Sequence, residues 1–246
     1  KTSNLICRIL EENNINFINN IAGTGVVALI KGDTDSSACV AIRADMDALA
    51  INEVNDVEYK SVTSGVMHAC GHDGHIASTL GAALILNKIK NHFEGSVKII
   101  FQPAEEKLPG GAIDMISEGV LLNPLVNHVL AQHVLPELEC GKIGIKSGDF
   151  MASADEIYIT VNGKGGHAAM PKLITDNLLI ASHIIIALQK IVESDIPTII
   201  RFGRIIGEGQ TNVVPDKVEI SGTLRTFNEK WRTEAHSLII NTAKNI

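Results

Sequence analysis

The chain has 246 residues, 45% of them hydrophobic and 20% charged, with a formal net charge of −7. This is globular material for one large domain or two modest ones. The acidic balance, the lack of a Lys/Arg run and the shortness of every apolar run argue against nucleic acid or a membrane as partner.

Four scattered cysteines, Cys7, Cys39, Cys70 and Cys140, form no CxxC pair and no disulfide framework. With no signal peptide read at the start, the expected setting is reducing and cytoplasmic. A first helix is expected over residues 2–10 and a last one over 229–246, neither closed by a capping Gly or Pro. With no initiator Met, the chain reads as a fragment of a longer protein.

Between those helices the first half alternates strand and helix patterns. Residues 25–30 (GVVALI) and 38–42 (ACVAI) are short apolar runs bounded by turn residues and read as buried strands. Residues 96–101 (SVKIIF) and 127–134 read the same way, with helices over 75–90 and 111–118. This alternation predicts an α/β layered domain with a largely parallel sheet. In such sheets reactive groups collect beyond the carboxyl ends of strands. Asp45 and Asp47, Glu105 and Glu106, and His133 all fall at such ends.

Near residue 150 the pattern changes to strand 156–161, helix 176–192, strands 197–206 and 217–225, and the final helix. That β-α-β-β-α order predicts a small ferredoxin-like α+β domain over 150–246, after a first domain over 1–149.

The densest chemistry lies at His68-Ala69-Cys70-Gly71-His72-Asp73-Gly74-His75, with three histidines, a cysteine and an aspartate in eight positions. Imidazole, thiolate and carboxylate are transition-metal ligands. Cys70 and His72 are two apart, which in an extended segment puts both on one face. Gly71 and Gly74 let the backbone bend so that ligands converge. A polar turn would favour Asn, Asp and Ser over Cys and His.

Arg43-Ala44-Asp45-Met46-Asp47 places two carboxylates at a strand end. Taken alone it reads equally as an Asp-rich turn; beside a metal, either Asp can ligate or hold a histidine ligand in its tautomer. Glu105 and Glu106 follow an apolar strand and Pro103, so they sit at a strand mouth. There one carboxylate can bind metal while the other takes a proton from water. His133, like His128, would be a core histidine if seen alone. The glycine-rich loop from Gly163 to His167 lacks the P-loop and Rossmann patterns and reads as a flexible turn. Asn212 and Arg225 supply an amide and a guanidinium, the latter suited to gripping a carboxylate.

RADMDAL (43–49), GVMHACGHDGH (65–75), FQPAEE (101–106), GKGGHAAMP (163–171), NVVP (212–215) and GTLRT (222–226) occur in this order. Together they resemble the aminoacylase and carboxypeptidase family of two-metal peptidases. The closest branch is its amidohydrolases: hippurate hydrolase, auxin-conjugate amidohydrolases and N-acetyldiaminopimelate deacetylase. The resemblance implies a phosphorylase/hydrolase-like α/β catalytic domain, here incomplete, with a ferredoxin-like lid that dimerises. It implies hydrolysis of N-acyl amino acids or small dipeptides, with two divalent ions per site, manganese or zinc before cobalt or nickel. The family's ligands match Cys70, His72, Glu106 and His133, and its general base matches Glu105. His167 matches a histidine that steadies the oxyanion across a homodimer. Asn212 and Arg225 match positions that hold the substrate's amide and carboxylate. Asp45 and Asp47 stand where other branches keep an HxD ligand motif, and are expected to play a supporting part. The family's fifth ligand, a later histidine, has no counterpart before Ile246, and Lys172 stands where the branch usually has histidine. Two rival readings are a metal-binding dimerisation scaffold without activity and a closed structural zinc site. The zinc reading leaves Glu105, His167 and Arg225 without a task.

Overall fold

The apolar segment Ser96–Gln102 is the centre of a five-stranded sheet in the computed structural model, which describes residues 1–34, 36–193 and 195–246. The chain divides into two compact units, Lys1–Lys142 and Ile143–Ile246, a break somewhat ahead of the one expected near 150.

In the first unit the elements run α1 (Thr2–Glu12), β1 (Asn16–Ile21), β2 (Gly25–Lys31), β3 (Cys39–Asp45), α2 (His72–Lys88), β4 (Ser96–Gln102), α3 (Gly111–Ser117) and β5 (His128–Ala131). The sheet order is β1-β2-β4-β3-β5. The expectation of a largely parallel sheet holds only for β3, β4 and β5. The β1–β2 hairpin adds two antiparallel ladders, so the sheet is mixed.

Strand alternation sorts the core into two layers. Val26, Ala28 and Ile30 of β2, with Ile99 and Phe101 of β4, meet Ile6 and Leu10 of α1 and Ile76, Leu80 and Ala83 of α2. On the opposite face Val27, Ala41 and Ile100 meet Met115 of α3 and Val120 just beyond it. Lys98 points to that second face inside the central strand and is buried. It is tolerated because its ammonium donates to the carbonyls of Val120, Leu122 and Pro124 at 2.7, 2.8 and 3.0 Å. Burial pushes its pKa down, partly offset by Cys39.

The second unit contains β6 (Ser153–Asn162), β7 (Gly166–His167), α4 (Asn177–Gln189), β8 (Thr198–Ile206), β9 (Val213–Val214), β10 (Lys217–Thr226) and α5 (Glu229–Lys244). An antiparallel sheet, β6-β10-β8, is covered on one face by α4 and α5. Val218, Ile220 and Leu224 of β10 meet Ala181, Ile184 and Leu188 of α4 and Ala235 and Ile239 of α5. The other face leaves Tyr158 and Ile199 exposed, as one-sided antiparallel sheets do. The side chains of Asp176 and Asn228 cap α4 and α5, accepting from Leu179 N–H and Trp231 N–H. Among the described residues no helix is long and apolar enough to cross a membrane.

Candidate functional site

Parallel pairing of β3 with β4 and β5 brings three strand ends together, with Asp45 opposite Gln102 and Ala131 opposite Arg43. The segments leaving those ends carry Asp47, Glu105 with Glu106, and His133. The start of α2 brings His72 to the same place. Cys70–His72 is a helix entry rather than the expected extended run. Gly71 precedes α2 in the left-handed conformation with φ +80°, and α2 begins at His72 instead of His75. A Cβ on Gly71 would lie 2.4 Å from Val134 Cγ2, so glycine is required on both counts.

His72 is buried, and its Nδ1 lies 3.0 Å from the carbonyl oxygen of Asp47. Nδ1–H therefore donates to that oxygen, and Nε2 carries the lone pair. Nε2 is buried with no hydrogen-bond partner. Around it stand Asp45 Oδ2 at 3.7 Å and Glu105 Oε2 and Glu106 Oε1 at 3.8 Å each. On the other side Cys70 Sγ and His133 Nε2 are 3.4 Å apart. His133 Nδ1 donates to the Val134 carbonyl at 2.7 Å, which turns its Nε2 toward the thiol.

An orphaned, buried imidazole nitrogen ringed by carboxylates costs free energy unless a cation fills the gap. Two overlapping sets of donors are close enough to hold one: Cys70, His72 and His133, and His72, Glu105 and Glu106. The Cys70 thiol is pushed up by burial, then by Glu106, Glu105 and Asp45, the signature of a site with excess negative charge. The donor set, one thiolate with imidazoles and carboxylates, suits a first-row divalent ion. These residues fit a metal centre.

Asp45, His72 and His75 also lie within metal-binding reach of one another, but His75 has no free nitrogen. Its Nδ1 donates to Asp45 Oδ1 at 2.6 Å, and its Nε2 accepts from Val134 N–H at 2.9 Å. Asp45 Oδ2 accepts from Arg43 at 2.7 Å, and Arg43 Nε donates to Gln102 at 2.9 Å. Burial is the strongest influence on the Asp45 carboxyl and raises its pKa. The His75 hydrogen bond and the Arg43 guanidinium, with smaller electrostatic contributions from His72 and His75, outweigh it, so the pKa ends below the usual value. Arg43, Asp45 and His75 are thus a buried brace behind the site. Sequence reasoning did not assign His75 this part. The available signal was its position three residues after His72, which on a helix turns both toward one face.

In the second unit β7 pairs with β9, setting His167 opposite Val213, and Ala168 N–H donates to the Asn212 carbonyl at 2.9 Å. His167 and Asn212 are therefore neighbours, both exposed. The glycines before them serve close backbone approach. A Cβ on Gly165 would meet the Val214 carbonyl at 2.3 Å, and Gly165 N–H is already held by Asp216. Arg225 is exposed near the far end of β10 from Lys217, roughly 26 Å along the strand at about 3.3 Å per residue. The structure does not group it with His167 and Asn212.

Residues 41–245 match the family model described as Peptidase family M20/M25/M40. The chain belongs to this family. It falls in the amidohydrolase branch of M20. It is 43% identical over 213 residues to an N-acyl-L-amino acid amidohydrolase of Geobacillus stearothermophilus, an alignment covering 85% of this chain and 57% of that protein. It is 40% identical over 237 residues to N-acetylcysteine deacetylase of Bacillus subtilis (strain 168), covering 94% of this chain and 61% of that one. The crystal structure of the Bacillus subtilis YXEP protein, a dinuclear metal binding peptidase from the M20 family, superposes with a TM-score of 0.79 at 36% identity. That match covers 99% of this chain and 63% of the other. The chain thus spans about three fifths of the length of these relatives.

Proposed function

We propose that this M20 chain belongs to a two-metal amide hydrolase acting on N-acyl amino acids or small dipeptides. The observation that carries the reading is His72 Nε2, buried, unpartnered and facing Glu105 and Glu106 at 3.8 Å each. Cys70, His72, Glu106 and His133 would hold the metals, manganese or zinc first, cobalt or nickel next. Bound there, divalent ions supply Lewis acidity that polarises the amide carbonyl and acidifies a water.

This chain's residues do the rest. The Glu105 side chain is 41% exposed and that of Glu106 25%, so the outer carboxylate is the one free to work as a base. Glu105 takes a proton from the attacking water and delivers it to the departing amide nitrogen. The products are a carboxylate and a free amino group. His167 would steady the oxyanion and Asn212 hold the substrate amide, while Arg225, set apart from that pair in its own chain, would grip the carboxylate as the contribution of the other copy of a dimer. The names of the two curated relatives, an N-acyl amino acid amidohydrolase and an N-acetylcysteine deacetylase, support that substrate class.

The second unit supports a homodimer in which His167 serves the partner's site. β8 is a nine-residue edge strand with exposed Ile199, Ile205 and Ile206, beside a helix α4 with exposed Leu178, Leu179 and Ile186. Such an edge is a template for pairing with a second copy.

The test is release of free amino acid from a panel of N-acetyl and N-benzoyl amino acids by the full-length protein loaded with manganese. Glu105→Gln should keep its metal and lose turnover by at least a hundredfold, the lower range for a general base. Full turnover in Glu105→Gln removes it as the base. Metal binding without turnover in the parent supports the rival scaffold reading.

A further inference from the structure

We propose that Asp47 is the positioning residue of this site, setting both glutamates through their main-chain amides; the inference rests on the hydrolase reading above. Asp47 Oδ1 accepts from Glu105 N–H and Asp47 Oδ2 from Glu106 N–H, each at 3.0 Å. One carboxylate therefore spans two successive amides, across a separation of fifty-eight residues in the first bond.

The backbone explains why those amides converge. Ala104, just before the pair, sits at φ +51°, a left-handed conformation that a non-glycine residue rarely adopts. A left-handed residue in a turn aims the N–H groups around it into one concavity, a nest for an anion. Asp47 is that anion. Both bonds are charge-assisted, and the paired geometry fixes orientation as well as distance. Gly111 N–H closes the turn from the other side by donating to the Ala104 carbonyl at 3.0 Å.

Asp47 also acts at a third point. Its own carbonyl oxygen accepts the hydrogen bond from His72 Nδ1–H, whereas its carboxylate stays 3.7 Å from that nitrogen. A carboxylate expected to hold a histidine thus leaves that task to its main chain and holds the glutamates instead. Among the described residues no potential metal-binding group includes Asp47. Three of its oxygens set three side chains: His72, the base Glu105 and the ligand Glu106.

Asp47→Asn keeps the shape but gives one amide N–H an NH2 group to face in place of an oxygen. The glutamate turn must shift to relieve it, and displacements near 1 Å cost about a hundredfold in rate. In the full-length, metal-loaded protein, Asp47→Asn should lower kcat about a hundredfold with KM within threefold of the parent. Cobalt affinity, followed by the visible spectrum of the titrated protein, should fall about tenfold or more, because Glu106 moves too. In the unsubstituted protein, the Glu105 and Glu106 amide protons should be shifted downfield and protected from exchange. That measurement needs no variant to fold. A kcat within threefold of the parent together with unchanged cobalt affinity overturns the proposal, as do freely exchanging amides at both positions. Should the parent fail to hydrolyse any N-acyl amino acid, the hydrolase reading falls, while the cobalt titration and the amide protons still decide the part played by Asp47.

Discussion

Removing the Asp45 carboxylate should cost more stability than removing any other acidic side chain of the first unit. Asp45 and His75 are 1% and 0% exposed and share a 2.6 Å hydrogen bond. Asp45→Ala strips the acceptor from two donors, His75 Nδ1–H and the Arg43 guanidinium. Arg43 keeps Gln102 and part of its side chain in solvent, so its loss is softened. Buried His75 has no substitute. A charge-assisted hydrogen bond contributes about 1.5–3 kcal/mol, and breaking a buried pair from one side costs about 3–5 kcal/mol; we expect about 3–4 kcal/mol here. His75→Ala should cost a similar amount by another route, leaving a cavity and orphaning Val134 N–H. The double variant should fall short of the sum by about 1.5 kcal/mol or more, since the shared bond can be lost only once. Urea unfolding of the full-length protein at pH 7 reads all three values. The sign of the pH dependence follows from the depressed Asp45 pKa. Its stabilisation is complete above the unfolded carboxyl value of about 3.9 and disappears as pH falls through the lower folded value. The gap between Asp45→Ala and the parent should therefore narrow below about pH 4. An Asp45→Ala cost under about 1 kcal/mol, or strict additivity with His75→Ala, would refute the brace.

Gly71→Ala meets a left-handed φ and a 2.4 Å approach to Val134 Cγ2; it should lose about 1–2 kcal/mol from the dihedral and about 1–3 from the clash. An unfolding midpoint unchanged from the parent contradicts this. Cys70→Ser should weaken metal binding at least about tenfold, because a hydroxyl is a poor replacement for a thiolate toward these ions; full occupancy at stoichiometric metal rules Cys70 out as a ligand. In the second unit Asp155 accepts from Arg232 at 2.7 Å twice and faces His236 Nε2 at 3.2 Å. The Arg232 hydrogen bonds, partly opposed by burial and aided by His236, hold its carboxyl below the usual value. Asp155→Asn should cost about 1–2 kcal/mol at pH 7, a cost that narrows as pH falls below the unfolded carboxyl value of about 3.9 and on through the lower folded value; a cost that stays constant over that fall would show that packing rather than charge is lost.

The candidate metal-binding octapeptide stood out because its residue types are chemically rare in turns, and the strands that frame it were legible because their apolar runs end in Gly, Asp or Pro. What escaped the sequence was set by pairing and backbone conformation that leave no pattern of residue types. β1, NFINNI, carries three asparagines and is mostly exposed, so no alternation marks it. It is a strand because it lies against β2, with Phe17 opposite Ala28. That hairpin is also why a sheet with parallel β3, β4 and β5 is mixed as a whole. The entry to α2 was misplaced by three residues because Gly71 offers no side-chain cap to announce it.

The doublet Asp45 and Asp47 shows most clearly where spacing stops being informative. Two residues apart beside a metal site, both read as ligands or as histidine holders. Tertiary structure separates them. Asp45 turns inward, where His75 and Arg43 consume both its oxygens, and the brace reaches His133 through Val134 N–H and through the His75 ring, whose centroid lies 4.5 Å from that of His133. Asp47 turns toward the strand mouth, where the Glu105 and Glu106 amides consume both of its own. Each side of the donor ring thus has its own aspartate behind it, one steadying the Cys70–His133 side and the other the glutamate side. His72 lies between, oriented by the main chain of Asp47 and left with its Nε2 open. A carboxylate whose two oxygens are both committed to donors is fixed in place, and a ring of donors braced by two such groups is the arrangement a cation site would require.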